Sequence, residues 1–135
     1  MRALLLCAVL LLAPTATLVA QTQFEMNQGS SEEYQSADRK LTTAYQRILR
    51  KYAKNPVFLK NLKSAQRRWI QWRDAELAMK FPERETGFYG SMLPMCQAGY
   101  LTELTVTRTK QLEAWLKPSA EGDGCAGSLG DFVQE

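Results

Sequence analysis

Residues Pro56–Lys80 read PVFLKNLKSAQRRWIQWRDAELAMK, and the periodicity of this stretch decides the fold. Phe58, Leu62, Ala65, Trp69 and Leu77 recur at helical spacing and form an inner stripe. Lys60, Lys63, Arg67, Arg68 and Gln71 fall on the opposite side. Pro56 suits the first turn of a helix, where a missing N–H costs nothing. Phe81-Pro82 stops it, because the residue before a proline is pushed out of helical geometry.

Upstream, Tyr34, Ala37, Leu41, Ala44, Tyr45, Ile48 and Tyr52 recur every three or four residues, an amphipathic pattern. Ser30 or Ser31 caps this first helix, with Glu33 completing a capping box after Ser30. Asn55-Pro56 ends it. Gln21–Ser30 reads as a polar lead-in. Downstream, Pro82–Gly90 is a loop rich in charge, glycine and aromatics. A third helix is expected from about Ser91 to about Leu116, with Pro94 in its first turn and Leu101, Leu104, Leu112 and Trp115 as its stripe. Lys117-Pro118 closes it. Residues 118–135 form a tail with glycines at Gly122, Gly124, Gly127 and Gly130, expected to be irregular. Three helices of about 25 residues, one connection being very short, predict an all-α antiparallel bundle.

The first twenty residues stand apart. Met1-Arg2 gives a positive start, Ala3–Leu12 is unbroken apolar sequence, and Leu18-Val19-Ala20 offers a cleavage site, the pattern of a secretory signal peptide. An uncleaved anchor is the alternative, although a membrane-spanning helix needs about 20 apolar residues. Cys7 lies too early for a lipoprotein site and is expected to leave with the signal peptide. The mature chain is then residues 21–135. Its net charge falls from +3 to +2 as Arg2 is lost. Cys96 and Cys125 remain, an even pair that suggests one disulfide in an exported protein. Cys96 points away from the stripe of its helix, which suits a bond to a tail lying over the bundle. Closing that loop is worth roughly 3–4 kcal/mol by chain entropy.

The sequence contains no histidine, which excludes a Ser-His-Asp triad, a His-ligated zinc site and a histidine pH switch. The small basic surplus argues against a nucleic-acid partner. There is no long charge run. Glu76, Glu83 and Glu85 invite a carboxylate-pair reading, but carboxylates on a charged loop are ordinarily solvated, and no catalytic role is assigned. Glu121, Asp123 and Asp131 do not match the calcium-loop spacing. No cofactor or metal is expected. The basic face Lys60–Lys63–Arg67–Arg68 reads as a solvated helix surface, with contact to anionic lipid or glycan as the alternative. Trp69, Trp72 and Trp115 read as packing residues.

Charges on the wrong face are more informative. With Leu62 at zero, Arg73 lies at about +20° and Glu76 at about −40° on the helical wheel. With Leu101 at zero, Arg108 lies at about −20°. Charges that face an interior need partners, since burying one alone costs several kcal/mol. Arg73 and Glu76 can meet on one helix face. Arg108 can reach Glu76 from the next helix, and Asp38 is a second acceptor. Gln66 and the hydroxyls of Tyr34, Tyr45 and Tyr52 complete the expected network. It fixes helix register, or lines a groove for a ligand, or the stripe leaves the core and the charges are merely exposed.

Read in order, these segments are similar to a known family. Met26-Asn27, Tyr34, Ala37-Asp38, Leu41 and Tyr45 resemble the opening of the LprI-type lysozyme-inhibitor domain. Ala65-Gln66-Arg67-Arg68-Trp69-Ile70 and Arg73-Asp74-Ala75-Glu76 resemble its central signature. Gly90-Ser91-Met92, Leu101-Thr102-Glu103-Leu104-Thr105 and Arg108-Thr109 resemble its closing one. The domain so outlined is residues 21–117. Where many members carry cysteines this chain has Gly29 and Leu77, as the loss of one disulfide would leave it. The resemblance implies a non-enzymatic, soluble binding protein of the periplasm or secreted fraction, with a lysozyme as partner. Within the loop Lys80–Gly90, Arg84, Phe88 and Tyr89 are the expected anchors, since arginine and aromatics dominate hot spots. A net charge of +2 gives no steering toward a cationic lysozyme. The alternative is a structural or accessory protein of the envelope that uses a polar groove around Arg73 and Arg108.

Overall fold

The computed structural model describes residues 15–132. Three helices account for most of them: α1 (Thr15–Lys51), α2 (Pro56–Lys80) and α3 (Leu93–Ala114). Short 3-10 turns, Gly90–Met92 and Gly127–Phe132, precede α3 and lie in the tail. The start of α2 is set locally. Asn55 Oδ1 accepts from the Phe58 N–H at 2.9 Å, and Pro56 occupies the first turn. α1 has already ended at Lys51, and Asn55 caps α2.

The helices run up, down and up. The Asn27 side chain donates to the Ser91 carbonyl at the start of α3. Tyr52 Oη, just past the end of α1, donates to the Trp115 carbonyl just past the end of α3. α1 and α3 are therefore parallel. Gln66 meets Arg108, and Glu76 meets Tyr100, so α2 is antiparallel to α3. The bundle consequently has a hairpin end, where α1 turns into α2, and a loop end, where α2 connects to α3.

The core sits toward the hairpin end. Leu41, Ala44, Ile48 and Tyr52 of the α1 side meet Phe58 and Leu62 of α2 and Leu112 of α3. Phe58 stacks on Tyr52 with ring centroids 3.9 Å apart, and Trp115 packs across both. Ala37 and Ala44 on α1 and Thr105 and Thr109 on α3 are buried, and these small side chains let the two backbones approach closely. α2 contributes only Phe58 and Leu62 to the buried set and lies less deeply in the bundle beyond them.

Several expectations are corrected. α1 does not start at Ser30 or Ser31. It runs unbroken from Thr15, through the expected cleavage point and the whole polar lead-in. Bonds one turn apart, Gln23 to Asn27 and Gln28 to Glu32, support the lead-in, and Asn27 ties it to Ser91. The expected signal peptide lies outside the described residues up to residue 14. On α2, Ala65 is exposed rather than part of the inner stripe. On α3, Leu101 and Leu104 are only half-buried, and the deepest positions are Thr105 and Thr109. Thr109 Oγ1 donates back to the Thr105 carbonyl, while Thr105 Oγ1 is buried without a hydrogen-bond partner.

The expected Cys96–Cys125 bridge is not formed. Both cysteines are free thiols and both are exposed. Leu129 packs the tail against the hairpin-end core, whereas Cys96 lies in the first turn of α3, about 24 Å of helix before Leu112. The tail is held by a leucine contact instead of a covalent tie.

Candidate functional site

Two surfaces gather the residues of interest. The first is a groove of about 570 Å³ between α1 and α2, walled by Asp38, Leu41 and Tyr45 on one side and Gln66, Trp69 and Arg73 on the other. It exists because α2 sits shallowly beside α1 in this stretch. Trp69 forms its floor and is flanked by two guanidinium groups, Arg73 at 5.5 Å and Arg108 at 5.8 Å from the ring centroid. Cation–π attraction of this kind holds a cation that has lost part of its hydration.

The expected network resolves into three separate contacts. Arg73 binds its neighbour Asp74 through Nε and Nη2, at 2.9 and 2.7 Å, and does not pair with Glu76. Arg108 donates to Gln66 at 3.1 Å and to Gln111 at 3.1 Å, and does not reach Glu76. Glu76 instead accepts from Tyr100 Oη at 3.1 Å. Asp38 lines the groove with Arg73 but forms no ion pair with it among the described residues. Of the tyrosines, Tyr52 turns its hydroxyl to Trp115 rather than into the groove. The wheel correctly takes both arginines out of bulk solvent: the Arg73 side chain is only 14% exposed, and Arg108 is half-buried. Desolvation lowers the Arg108 pKa from its ordinary value. Trp69 packs against both guanidinium groups, and Arg73 takes its acceptor from the next residue of its own helix.

The second surface is the loop end. Residues 81–90 fold on themselves. Tyr89 Oη donates to the Pro82 carbonyl at 2.9 Å and closes the loop. Phe81, Phe88 and Tyr89 pack edge to face, with Phe88 and Tyr89 centroids 4.9 Å apart. Gly87 and Gly90 take φ of 89° and 67°, left-handed values that favour glycine. A compact, self-packed loop with close ends is a preorganised element. It carries Arg84 with its guanidinium 5.7 Å from the Phe88 ring centroid, and Phe88 is 59% exposed. Tyr89 is half-buried and serves as the clasp. Arg84, Phe88 and Tyr89 are thus brought together, with Arg84 and Phe88 facing out. Phe24, Met26 and Met92 add exposed apolar surface on the flanking elements, which the sequence reading did not single out.

Charge segregates between the two ends. Residues 39–73 hold eleven of the 17 Lys+Arg and none of the 14 Asp+Glu. Residues 22–38 and 74–103 hold nine carboxylates and two cations. The parallel α1–α3 pair and the antiparallel α2 place the first group at the hairpin end and the second at the loop end. The near-neutral total conceals this, because only position along the bundle shows it.

Among the described residues no group of three or more His, Cys, Asp or Glu could hold a metal ion. No helix among them is long and apolar enough to cross a membrane.

The described residues form a three-helix bundle with a clasped, outward-facing loop. The chain belongs to the LprI family: the family model described as "Lysozyme inhibitor LprI" matches residues 15–112. It is also similar to an uncharacterised protein of Rhizobium meliloti (strain 1021), 33% identical over 113 residues, which span 76% of this chain and 78% of the relative. No solved structure matches the chain.

Proposed function

We propose that this chain is an exported, non-catalytic binding protein that inhibits a muramidase, and that residues 81–90 are the inhibitory segment. The observation that carries this reading is the Arg84–Phe88 pair, displayed on a loop closed by the Tyr89–Pro82 hydrogen bond. A preorganised loop loses little entropy on binding. A glycoside-hydrolase cleft presents two carboxylates, and a guanidinium can bind a carboxylate bidentately. The carboxylates around the loop are complementary to a cationic muramidase and speed encounter, so local charge supplies the steering that a net charge of +2 does not. Family membership supports the class of partner, a lysozyme. The test is inhibition of several muramidase types by the purified protein. Inhibition that Arg84→Ala abolishes, with helicity unchanged, supports the reading, and absence of inhibition at large molar excess rejects it.

One observation favours a second reading, an accessory protein of the envelope. The groove over Trp69 is large enough for a small ligand and is lined by Arg73, while Arg108 lies against the Trp69 ring outside the lining. Quenching of Trp69 emission by a cell-envelope metabolite, lost in Trp69→Phe, supports that role.

A further inference from the structure

We infer that the outward face of α2 is a docking surface for an anionic lipid bilayer, independently of what the loop binds. With Ser64 at zero on the helical wheel, Lys60, Arg67 and Arg68 lie within about 60°, and Lys63 at about −100°. All four are exposed. Val57, Trp72 and Met79 occupy one edge of the same face, at about +20° to +80°. They are 69%, 48% and 70% exposed. The core-facing side of α2 is the opposite one, where Phe58 and Leu62 are buried.

Two features together select a bilayer. The first is charge. No carboxylate occurs between residues 39 and 73, so nothing on this stretch offsets the cations, and the acid that follows, Asp74, is engaged by Arg73. An anionic surface attracts each nearby Lys or Arg enough for about a fivefold gain in partitioning. The second is the exposed apolar edge. A soluble polyanion meets the cations and leaves Val57, Trp72 and Met79 in water. A bilayer interface takes both, because tryptophan settles at headgroup depth and basic stems reach over the apolar boundary.

The test is co-sedimentation of the purified full chain with phosphatidylcholine vesicles and with vesicles that also contain phosphatidylglycerol. The apolar run Ala3–Leu12 partitions into both alike, so the decisive quantity is the difference between them. The expected result is stronger binding to the anionic vesicles, weakened by salt. The Lys60→Gln, Arg67→Gln, Arg68→Gln triple variant should lose about a hundredfold of that binding with helicity unchanged. Brominated lipid should quench tryptophan emission in the parent and markedly less in Trp72→Phe. Equal binding to both vesicles, or full binding by the triple variant, overturns the inference. So does equal affinity for polyphosphate without brominated-lipid quenching, which assigns the face to a soluble polyanion.

Discussion

The hairpin end and the loop end are built from the same helices yet do different work. At the hairpin end Ile48, Tyr52 and Leu112 are fully buried, three aromatic rings interlock, and the Trp115 carbonyl accepts from both Lys51 and Tyr52. At the loop end the apolar side chains Phe24, Met26, Phe88 and Met92 are exposed, and the hydrogen bond from Asn27 to Ser91 links α1 to the turn before α3. The charges of residues 22–103 divide along the same line, while Glu113 of α3 lies beside Arg39, Lys40 and Arg47. Stability is concentrated where the chain reverses over a short turn, and the opposite end is left free for contact. Binding elements are commonly drawn from the less stable part of a fold.

The largest expected effect separates the ends directly. Ile48→Ala should lower unfolding free energy by about 2–5 kcal/mol, while Phe88→Ala should stay within about 0.5 kcal/mol of the parent. Denaturant midpoints measure both, and similar losses would erase the distinction. Thr105→Val comes next. Its hydroxyl is buried without a partner, so an isosteric methyl should raise stability by about 1 kcal/mol, read by the same titration. A loss would mean that the hydroxyl is satisfied in solution. Tyr89→Phe removes the loop clasp at a global cost of about 1 kcal/mol or less, yet should speed amide exchange across residues 82–90 selectively. Exchange rising equally in α1 would tie the two ends into one unit.

The smallest effect concerns pH. Desolvation first, then the hydrogen bond and negative charge of Glu76, raise the Tyr100 pKa above its ordinary 10.0. The protonated phenol is therefore favoured in the folded protein. Its contribution to stability is present below about pH 10 and is lost as pH rises through the folded value. Ultraviolet titration of Tyr100 in Glu76→Gln should show a smaller upward displacement that does not vanish, since desolvation remains.

Much of this architecture is legible in the sequence, for physical reasons. Proline and its preceding residue fix both ends of α2, so Asn55-Pro56 and Phe81-Pro82 mark boundaries that the fold keeps. The early part of α1 is hidden because Ser30, Ser31 and Glu33 look like a capped helix start. Side-chain bonds one turn apart and a tertiary tie to Ser91 outweigh that local signal. The α3 core is hidden because Thr105 and Thr109 are polar letters that are chosen for size against α1. The wheel angle of Arg73 and Arg108 is right, since geometry alone sets it. Their partners are not, since packing brings Asp74 to Arg73 and Gln66 and Gln111 to Arg108. The even count and the outward position of Cys96 suggest a bond, whereas Leu129 packs the tail against the hairpin-end core. In the loop, residue types at Arg84 and Phe88 were readable, but the Tyr89–Pro82 clasp that presents them was not.

The most direct test is a titration of muramidase activity with the parent protein and with an Arg84→Ala, Phe88→Ala double variant of unchanged helicity. The expected result is inhibition by the parent and a loss of at least about thirtyfold in the variant, as for a binding hot spot. Equal inhibition by both proteins, or none by the parent against any muramidase, would contradict it.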